Sequence, residues 1–235
     1  YYTPAFIVDY IVEHTIGPLA EEAAQRTEAL ADELRELQKR LDRTQSPESL
    51  RNLTAQRDDL RRGLTEPYLS LRILDPAMGS GHFLVGAADF LSLAMATDPN
   101  LPEPEDLGDE EPQVHYKRLI VEQCLCGVDL NPLAVELAKL SLWLHTVSRD
   151  KALSFLDYHL RCGNSLIGVT VKEVREASES GQGMLWGTQW EGFKLATEAM
   201  RHVGALSDVT SDQARESRRE FKKAASGISP FKLML

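Results

Sequence analysis

The stretch Leu71-Arg72-Ile73-Leu74-Asp75-Pro76-Ala77-Met78-Gly79-Ser80-Gly81-His82-Phe83-Leu84 passes from a short apolar run to an acid, a glycine-rich turn and an apolar periodic segment. The run Leu71–Leu74, closed by Asp75, predicts a buried strand. Pro76–Gly81 predicts a turn. A helix is expected from about Ser80 to Ala96, with Phe83, Ala87, Phe90 and Ala94 on one stripe. Downstream, a helix near Val114–Glu122 leads into a strand from Cys124 to Val128, ended by Asp129. Asn131-Pro132 opens the next helix, with Leu133, Leu137, Leu140 and Leu144 aligned. Tyr158–Cys162 reads as a third strand, ending in Gly163-Asn164-Ser165-Leu166. Strand, glycine turn, helix, strand and acid is the layout of a doubly wound, nucleotide-binding α/β sheet.

Each part of that layout has a physical reason. The ligand lies across the carboxyl ends of the strands. Gly79 and Gly81 lack a Cβ, so backbone can come close to it. Free N–H groups at the start of the next helix favour an anion. Asp129, at a strand tip, can accept two hydrogen bonds from ribose hydroxyls, each charge-assisted and worth roughly 1.5–3 kcal/mol. A dinucleotide is disfavoured. Gly79-Ser80-Gly81 is followed by His82-Phe83-Leu84, so the third glycine of the fingerprint is missing, and Asp129 lies far beyond the expected spacing of about 20 residues. A P-loop is excluded, because no Gly-Lys-Ser/Thr follows the turn.

The string Asp75 to Leu84 closely resembles the first motif of the S-adenosylmethionine-dependent amino-methyltransferases of DNA, above all the adenine-N6 enzymes. The resemblance continues in order. Tyr2-Thr3-Pro4 is similar to their aromatic-Thr-Pro motif. Gly127-Val128-Asp129-Leu130-Asn131-Pro132, followed by Ala134-Val135-Glu136-Leu137-Ala138, is similar to the second motif, and Gly163-Asn164-Ser165-Leu166 to the third. It covers roughly residues 1–18 and 69–168. The motif order resembles that of large restriction–modification and phage-defence methyltransferases, in which the cofactor half precedes the catalytic half.

The resemblance implies a partial Rossmann-like class I methyltransferase sheet, with an inserted α-helical hairpin and a helical C-terminal segment. It also implies S-adenosylmethionine as cofactor and a role for each matched residue. Tyr2, Thr3 and Pro4 would line the methionine side. Asp75 would hold the methionine ammonium, directly or through water. Ala77, Gly79, Ser80 and Gly81 would bring backbone close to the carboxylate and sulfonium, and Phe83 would form an apolar wall. Asp129 would bind the ribose hydroxyls, Leu130 would pack on the adenine ring, and Asn164 would reach the adenine amino group. Family members often carry an aspartate at that last position.

One motif is missing. Amino-methyltransferases carry Asn/Asp-Pro-Pro followed by an aromatic, because the exocyclic amine of adenine is a poor nucleophile. An amide oxygen and a backbone carbonyl accept its hydrogens while an aromatic ring stacks on the flipped base. This chain has no Asn-Pro-Pro or Asp-Pro-Pro, and Ser229-Pro230-Phe231 lacks both the amide and the paired prolines. The expectation is a fragment of a DNA methyltransferase that binds cofactor and has no catalytic residue of its own. Contact with DNA is then made by parts of the parent protein outside this chain. A methyltransferase of RNA, protein or small molecules, and a non-catalytic module holding DNA or a partner, remain as alternatives.

The rest of the chain supplies context. Residues 1–19 are apolar and aromatic, with Thr3 placed as an N-cap and Pro4 in a first helical turn. Residues 20–66 predict a helical hairpin, broken at Thr44-Gln45-Ser46-Pro47. Its seams are Ala23, Leu30, Leu34, Leu37 and Leu41, then Leu50, Leu53, Leu60 and Leu64. It reads either as a solvated insertion or as a contact arm for DNA or a protein partner. The α/β core is expected over 67–170, including an acidic, proline-rich loop at 98–112. Residues 171–235 carry Gly181, Gly183, Trp186 and Trp190, then expected helices at 193–204 and 211–225. The second of these is basic, through Arg215, Arg218, Arg219, Lys222 and Lys223.

The net charge of −10 argues against nucleic-acid binding by charge alone. Much of that acid sits in the 98–112 loop, so the charge does not weigh against DNA as the parent's substrate. No run approaches 18 apolar residues and no secretory start is visible, so no membrane span is expected. Three cysteines suit a reducing, cytoplasmic setting. Cys124 and Cys126 lack zinc-pair spacing, and no metal is expected.

Overall fold

The computed structural model describes residues 3–104, 111–146 and 156–166, with Arg215, Glu216, Arg219, Glu220 and Lys222. In chain order the elements are α1 (Ala5–Arg43), α2 (Pro47–Gly63), α3 (Glu66–Leu69), β1 (Ile73–Asp75), α4 (His82–Thr97), α5 (Pro112–Gln123), β2 (Leu125–Asp129), α6 (Pro132–Thr146) and β3 (Leu160–Cys162). They form two compact units. The first comprises 1–73 and 82–125, the second 74–81 and 126–235.

The first unit is helical. Helix α1 begins at Ala5, with Pro4 at the cap position and no side-chain capping bond. The Pro4 carbonyl accepts from the Ile7 and Val8 amides at 3.0 and 3.3 Å. The helix therefore starts one residue later than a Thr3 cap predicts. It then runs unbroken through Pro18, so the boundary expected at residue 19 is not a break in the backbone. The reason is the buried stripe Val8, Val12, Ile16, Ala20, Ala23, Thr27 and Ala31. Its spacing of threes and fours crosses Pro18 without a phase change, and packing of that stripe outweighs the one hydrogen bond a proline removes. Helices α2, α3 and α4 pack against α1. The approach of α4 is close, since a Cβ at Gly86 would lie 2.9 Å from Val8 Cγ1.

The expected break at Thr44-Gln45-Ser46-Pro47 is where α1 ends and α2 begins, with Ser46 at the cap and Pro47 in the first turn. Leu37, Leu41 and Leu53 form one buried cluster, joined by Leu60. Nearer the middle of α1 the buried positions are Thr27 and Ala31; Leu30 and Leu34 are half-buried. Thr27 Oγ1 donates to the Leu64 carbonyl at 3.3 Å. Helices α4 and α5 share the deepest core, through Leu84, Leu91, Met95, Ile120 and Val121. Two phenols are tied nearby: Tyr68 OH donates to Asp98 Oδ2 at 2.9 Å, and Tyr116 OH to the Pro102 carbonyl at 3.0 Å.

The second unit holds β1 after Ile73, β2 after Leu125, β3 and α6. The sheet order is β1-β2-β3. β2 and β3 are parallel, in the register Gly127↔Leu160, Val128↔Arg161 and Asp129↔Cys162. β1 begins two residues later than the apolar run suggests and includes Asp75. In α6 the aligned leucines are the exposed face: Leu133 is 65% exposed and Leu144 59%. The buried face is Val135, Ala138, Leu142 and Thr146. Both stripes have the same period, so periodicity alone could not choose. The smaller face wins because Ala138 lets the glycine turn sit against the helix. Lys139 anchors α6 to the approach of β3, pairing with Glu136 at 2.7 Å and Asp157 at 2.5 Å.

Among the described residues no helix is long and apolar enough to cross a membrane. Gly181, Gly183, Trp186, Trp190 and the expected helix at 193–204 lie outside the described residues. Of the basic segment at 211–225, Arg215, Glu216, Arg219, Glu220 and Lys222 are described and helical.

Candidate functional site

The site in the second unit is built from the ends of three adjacent strands. After β1, Asp75 Oδ1 accepts from the Ala77 amide at 3.0 Å, which bends the chain out of the strand. The other oxygen, Asp75 Oδ2, is buried and has no hydrogen-bond partner among the described residues. A carboxylate oxygen in that state carries a desolvation cost until a donor reaches it. The Met78 amide then donates to the Val128 carbonyl at 3.0 Å, fastening the turn to β2.

The two glycines of the turn do different things. Gly79 has φ 55°, and a Cβ there would meet no described atom within 4 Å. It faces open space, where a ligand can approach the backbone. Gly81 has φ 83°, and a Cβ there would lie 3.1 Å from Ala138 Cβ and 3.3 Å from Ala138 Cα. Gly81 therefore serves the packing of the turn onto α6. The Gly81 amide closes the turn by donating to the Met78 carbonyl at 2.8 Å.

Asp129 sits at the end of β2. Its Oδ2 accepts from the Gly79 amide and its Oδ1 from the Asn131 amide, each at 2.8 Å. An ionised carboxylate offers about four acceptor positions, so roughly two stay open for hydroxyl donors. Asn131 is a contributor that the sequence places at a helix start and within the second motif, without a role of its own at the site. Its Oδ1 accepts from the Leu133 amide at 3.0 Å, capping α6 beside Pro132. The signal was available, because an amide side chain directly before a proline at a helix start is a capping pattern.

The third strand closes the group. The Gly163 amide donates to the Asp129 carbonyl at 3.0 Å. Asn164 is exposed, and its Oδ1 accepts from the Leu166 amide at 3.0 Å. Leu130 is 70% exposed at the tip of β2. Asp75, Ala77, Gly79, Ser80, Gly81, Asp129, Leu130 and Asn164 thus all belong to the second unit. Ala77 is exposed and Ser80 half-buried. Thr3, Pro4 and Phe83 belong to the first unit. There Thr3 is half-buried and Pro4 exposed ahead of α1, and Phe83 is half-buried in the first turn of α4. Tyr2 lies outside the described residues. Chemically, the second unit offers an acceptor for an ammonium at Asp75, acceptors for a diol at Asp129, an open backbone at Gly79 and an apolar surface at Leu130.

The model of the N-6 DNA methylase family matches residues 45–172, more than half of the chain. A protein of Methanocaldococcus jannaschii named as a type II restriction enzyme and methyltransferase is 32% identical over 192 residues, covering 77% of this chain and 15% of that protein. An adenine-specific methyltransferase of Streptomyces coelicolor is 31% identical over 145 residues, covering 56% of this chain and 10% of that protein. The chain therefore spans a small part of the curated relatives it matches. No solved structure matches it significantly.

Proposed function

The chain belongs to the N-6 DNA methylase family, and from that premise we propose that it supplies the S-adenosylmethionine-binding part of an adenine-N6 DNA methyltransferase. The parent enzyme would act in the cytoplasm, within a restriction–modification or phage-defence system. One relative is named as a type II restriction enzyme and methyltransferase and the other as an adenine-specific methyltransferase, which supports the restriction–modification setting and the adenine target. The strand order β1-β2-β3 is that of one half of a doubly wound sheet, which supports a Rossmann-like core.

One observation carries the cofactor assignment. The buried, unpartnered Asp75 Oδ2 and the half-satisfied Asp129 carboxylate flank a single glycine turn. S-adenosylmethionine has a matching cation and diol, and its sulfonium supplies an electrophilic methyl group. Asp75 Oδ2 takes the methionine ammonium. The backbone of Ala77, Gly79, Ser80 and Gly81 faces the carboxylate and the sulfonium. Asp129 receives the ribose hydroxyls, Leu130 covers the adenine ring, and Asn164 meets the adenine amino group. By the family resemblance, Tyr2, Thr3 and Pro4 would line the methionine side and Phe83 would form an apolar wall.

Transfer to DNA needs a group that accepts the hydrogens of the target amine and a ring that stacks on the flipped base. The Asn/Asp-Pro-Pro-aromatic motif that does this is absent from the 235 residues. Methylation and DNA contact are therefore assigned to other parts of the parent. Calorimetry with S-adenosylhomocysteine and NADH tests the cofactor reading: the first binds one to one and the second does not. Absence of S-adenosylhomocysteine binding overturns it. Labelled S-adenosylmethionine with adenine-containing DNA tests the division of labour, and turnover by this chain alone would refute it.

A further inference from the structure

The first unit carries a groove of about 800 Å³ between α1 and α4, unrelated to the glycine turn. We propose that this groove docks a basic amphipathic helix of a partner protein. Its floor is apolar and low. Gly17, Ala20 and Ala24 of α1 face Phe90 and Ala94 of α4, and a Cβ at Gly17 would already lie 3.8 Å from Phe90 Cζ. Small residues along one helix leave room for the side chains of another to lie across it.

The rim identifies the occupant. Glu13, Glu21 and Glu28 border the groove at spacings of eight and seven residues. At about 100° per residue they fall within an arc of about 80°, and at about 1.5 Å rise they span about 22 Å. Asp98 borders the groove too, and among the described residues no lysine or arginine lines it. All three glutamates are exposed, and none makes an ion pair among the described residues. Past the groove the same helix pairs two of its acids, Asp32 with Arg35 at 2.6 Å and Glu36 with Lys39 at 3.3 Å. An apolar floor beneath a row of unpaired carboxylates complements a helix with an apolar stripe and a cation every seven or eight residues. Nucleic acid carries the wrong sign for this surface.

The probe is a synthetic helical peptide with leucines along one face and lysines at sevenfold spacing beside them, titrated by fluorescence anisotropy into the full chain. The lysine peptide binds with a Kd on the order of micromolar at low salt, and a version with glutamates for lysines does not bind. The triple variant Glu13→Gln, Glu21→Gln, Glu28→Gln weakens binding roughly tenfold or more, while Glu33→Gln, Glu48→Gln, Glu103→Gln, with the same change in charge, shifts it less than about twofold. Ala24→Phe, which fills the floor with the helix content unchanged by circular dichroism, also weakens it roughly tenfold. No binding by the lysine peptide, equal loss in both triple variants, indifference to Ala24→Phe, or full displacement by micromolar spermine each overturns the proposal.

Discussion

The backbone amide of Gly79 donates to Asp129 Oδ2 at 2.8 Å, across fifty residues of sequence. The acid at the end of β2 is therefore also what holds the glycine turn after β1. With the Asn131 amide on its other oxygen, the carboxylate is fixed in two directions before any ligand arrives. A fixed acceptor loses less freedom when it takes a hydroxyl, which favours affinity.

Asp129→Ala removes both functions. S-adenosylhomocysteine binding should weaken by roughly 2–4 kcal/mol, for two lost charge-assisted bonds. The fold should lose about 1–2 kcal/mol as well, because the Gly79 and Asn131 amides lose their acceptor. Calorimetry and urea melts separate the two. Unchanged affinity would sink the ribose assignment, and unchanged stability would sink the latch.

Gly79 and Gly81 should respond to alanine in opposite ways. Gly81→Ala forces a side chain onto φ 83° and drives its Cβ to 3.1 Å from Ala138 Cβ. The expected cost is roughly 2–4 kcal/mol of stability. Gly79→Ala meets open space, so only the backbone strain of roughly 1–2 kcal/mol remains. Its effect should appear instead as a loss of S-adenosylhomocysteine affinity of roughly tenfold or more. Thermal melts that rank Gly79→Ala as the less stable of the two contradict this division.

The sequence made the turn legible because glycine, proline and acid fall at fixed offsets, and the ends of β1 and β2 because apolar runs stop at Asp75 and Asp129. The break before Pro47 was legible for the same local reason. What it did not show depends on contacts between distant residues. The change of composition near residue 20 reflects a change in what α1 packs against, while its backbone continues. The two leucine-spaced faces of α6 look alike until Gly81 is seen lying on Ala138. The bond from Gly79 to Asp129, and the unpartnered oxygen of Asp75, belong to geometry that no spacing along the chain encodes.

The α1–α2 seam gives a stability test of that difference. Leu37 is 4% exposed within the cluster with Leu41 and Leu53. Leu37→Ala should cost roughly 2–4 kcal/mol. Leu30, which a heptad reading ranks equal to it, is only half-buried and should cost about 1 kcal/mol. Thr27→Val keeps the volume and removes the donor to the Leu64 carbonyl, for about 1 kcal/mol. Equal losses for Leu30→Ala and Leu37→Ala in urea denaturation would count against the seam described.

The final prediction concerns alkali. Burial first, then the hydrogen bond to Asp98 and that group's negative charge, hold the Tyr68 phenol well above its ordinary value of 10.0. Burial, and then Asp98, raise Tyr116 in the same direction. Above about pH 10 the unfolded chain releases these protons while the folded chain keeps them, so the folded state binds more protons and stability falls as pH rises. The contribution is fully present below about pH 10 and is lost progressively above it. Tyr68→Phe also removes a hydrogen bond to a charged acceptor, at a cost of roughly 1.5–3 kcal/mol near neutral pH. The double variant Tyr68→Phe, Tyr116→Phe should therefore start less stable and decline less steeply between pH 10 and about pH 12. Urea melts at stepped pH measure both slopes. Parallel alkaline declines in the two proteins would show that these phenols do not carry the effect.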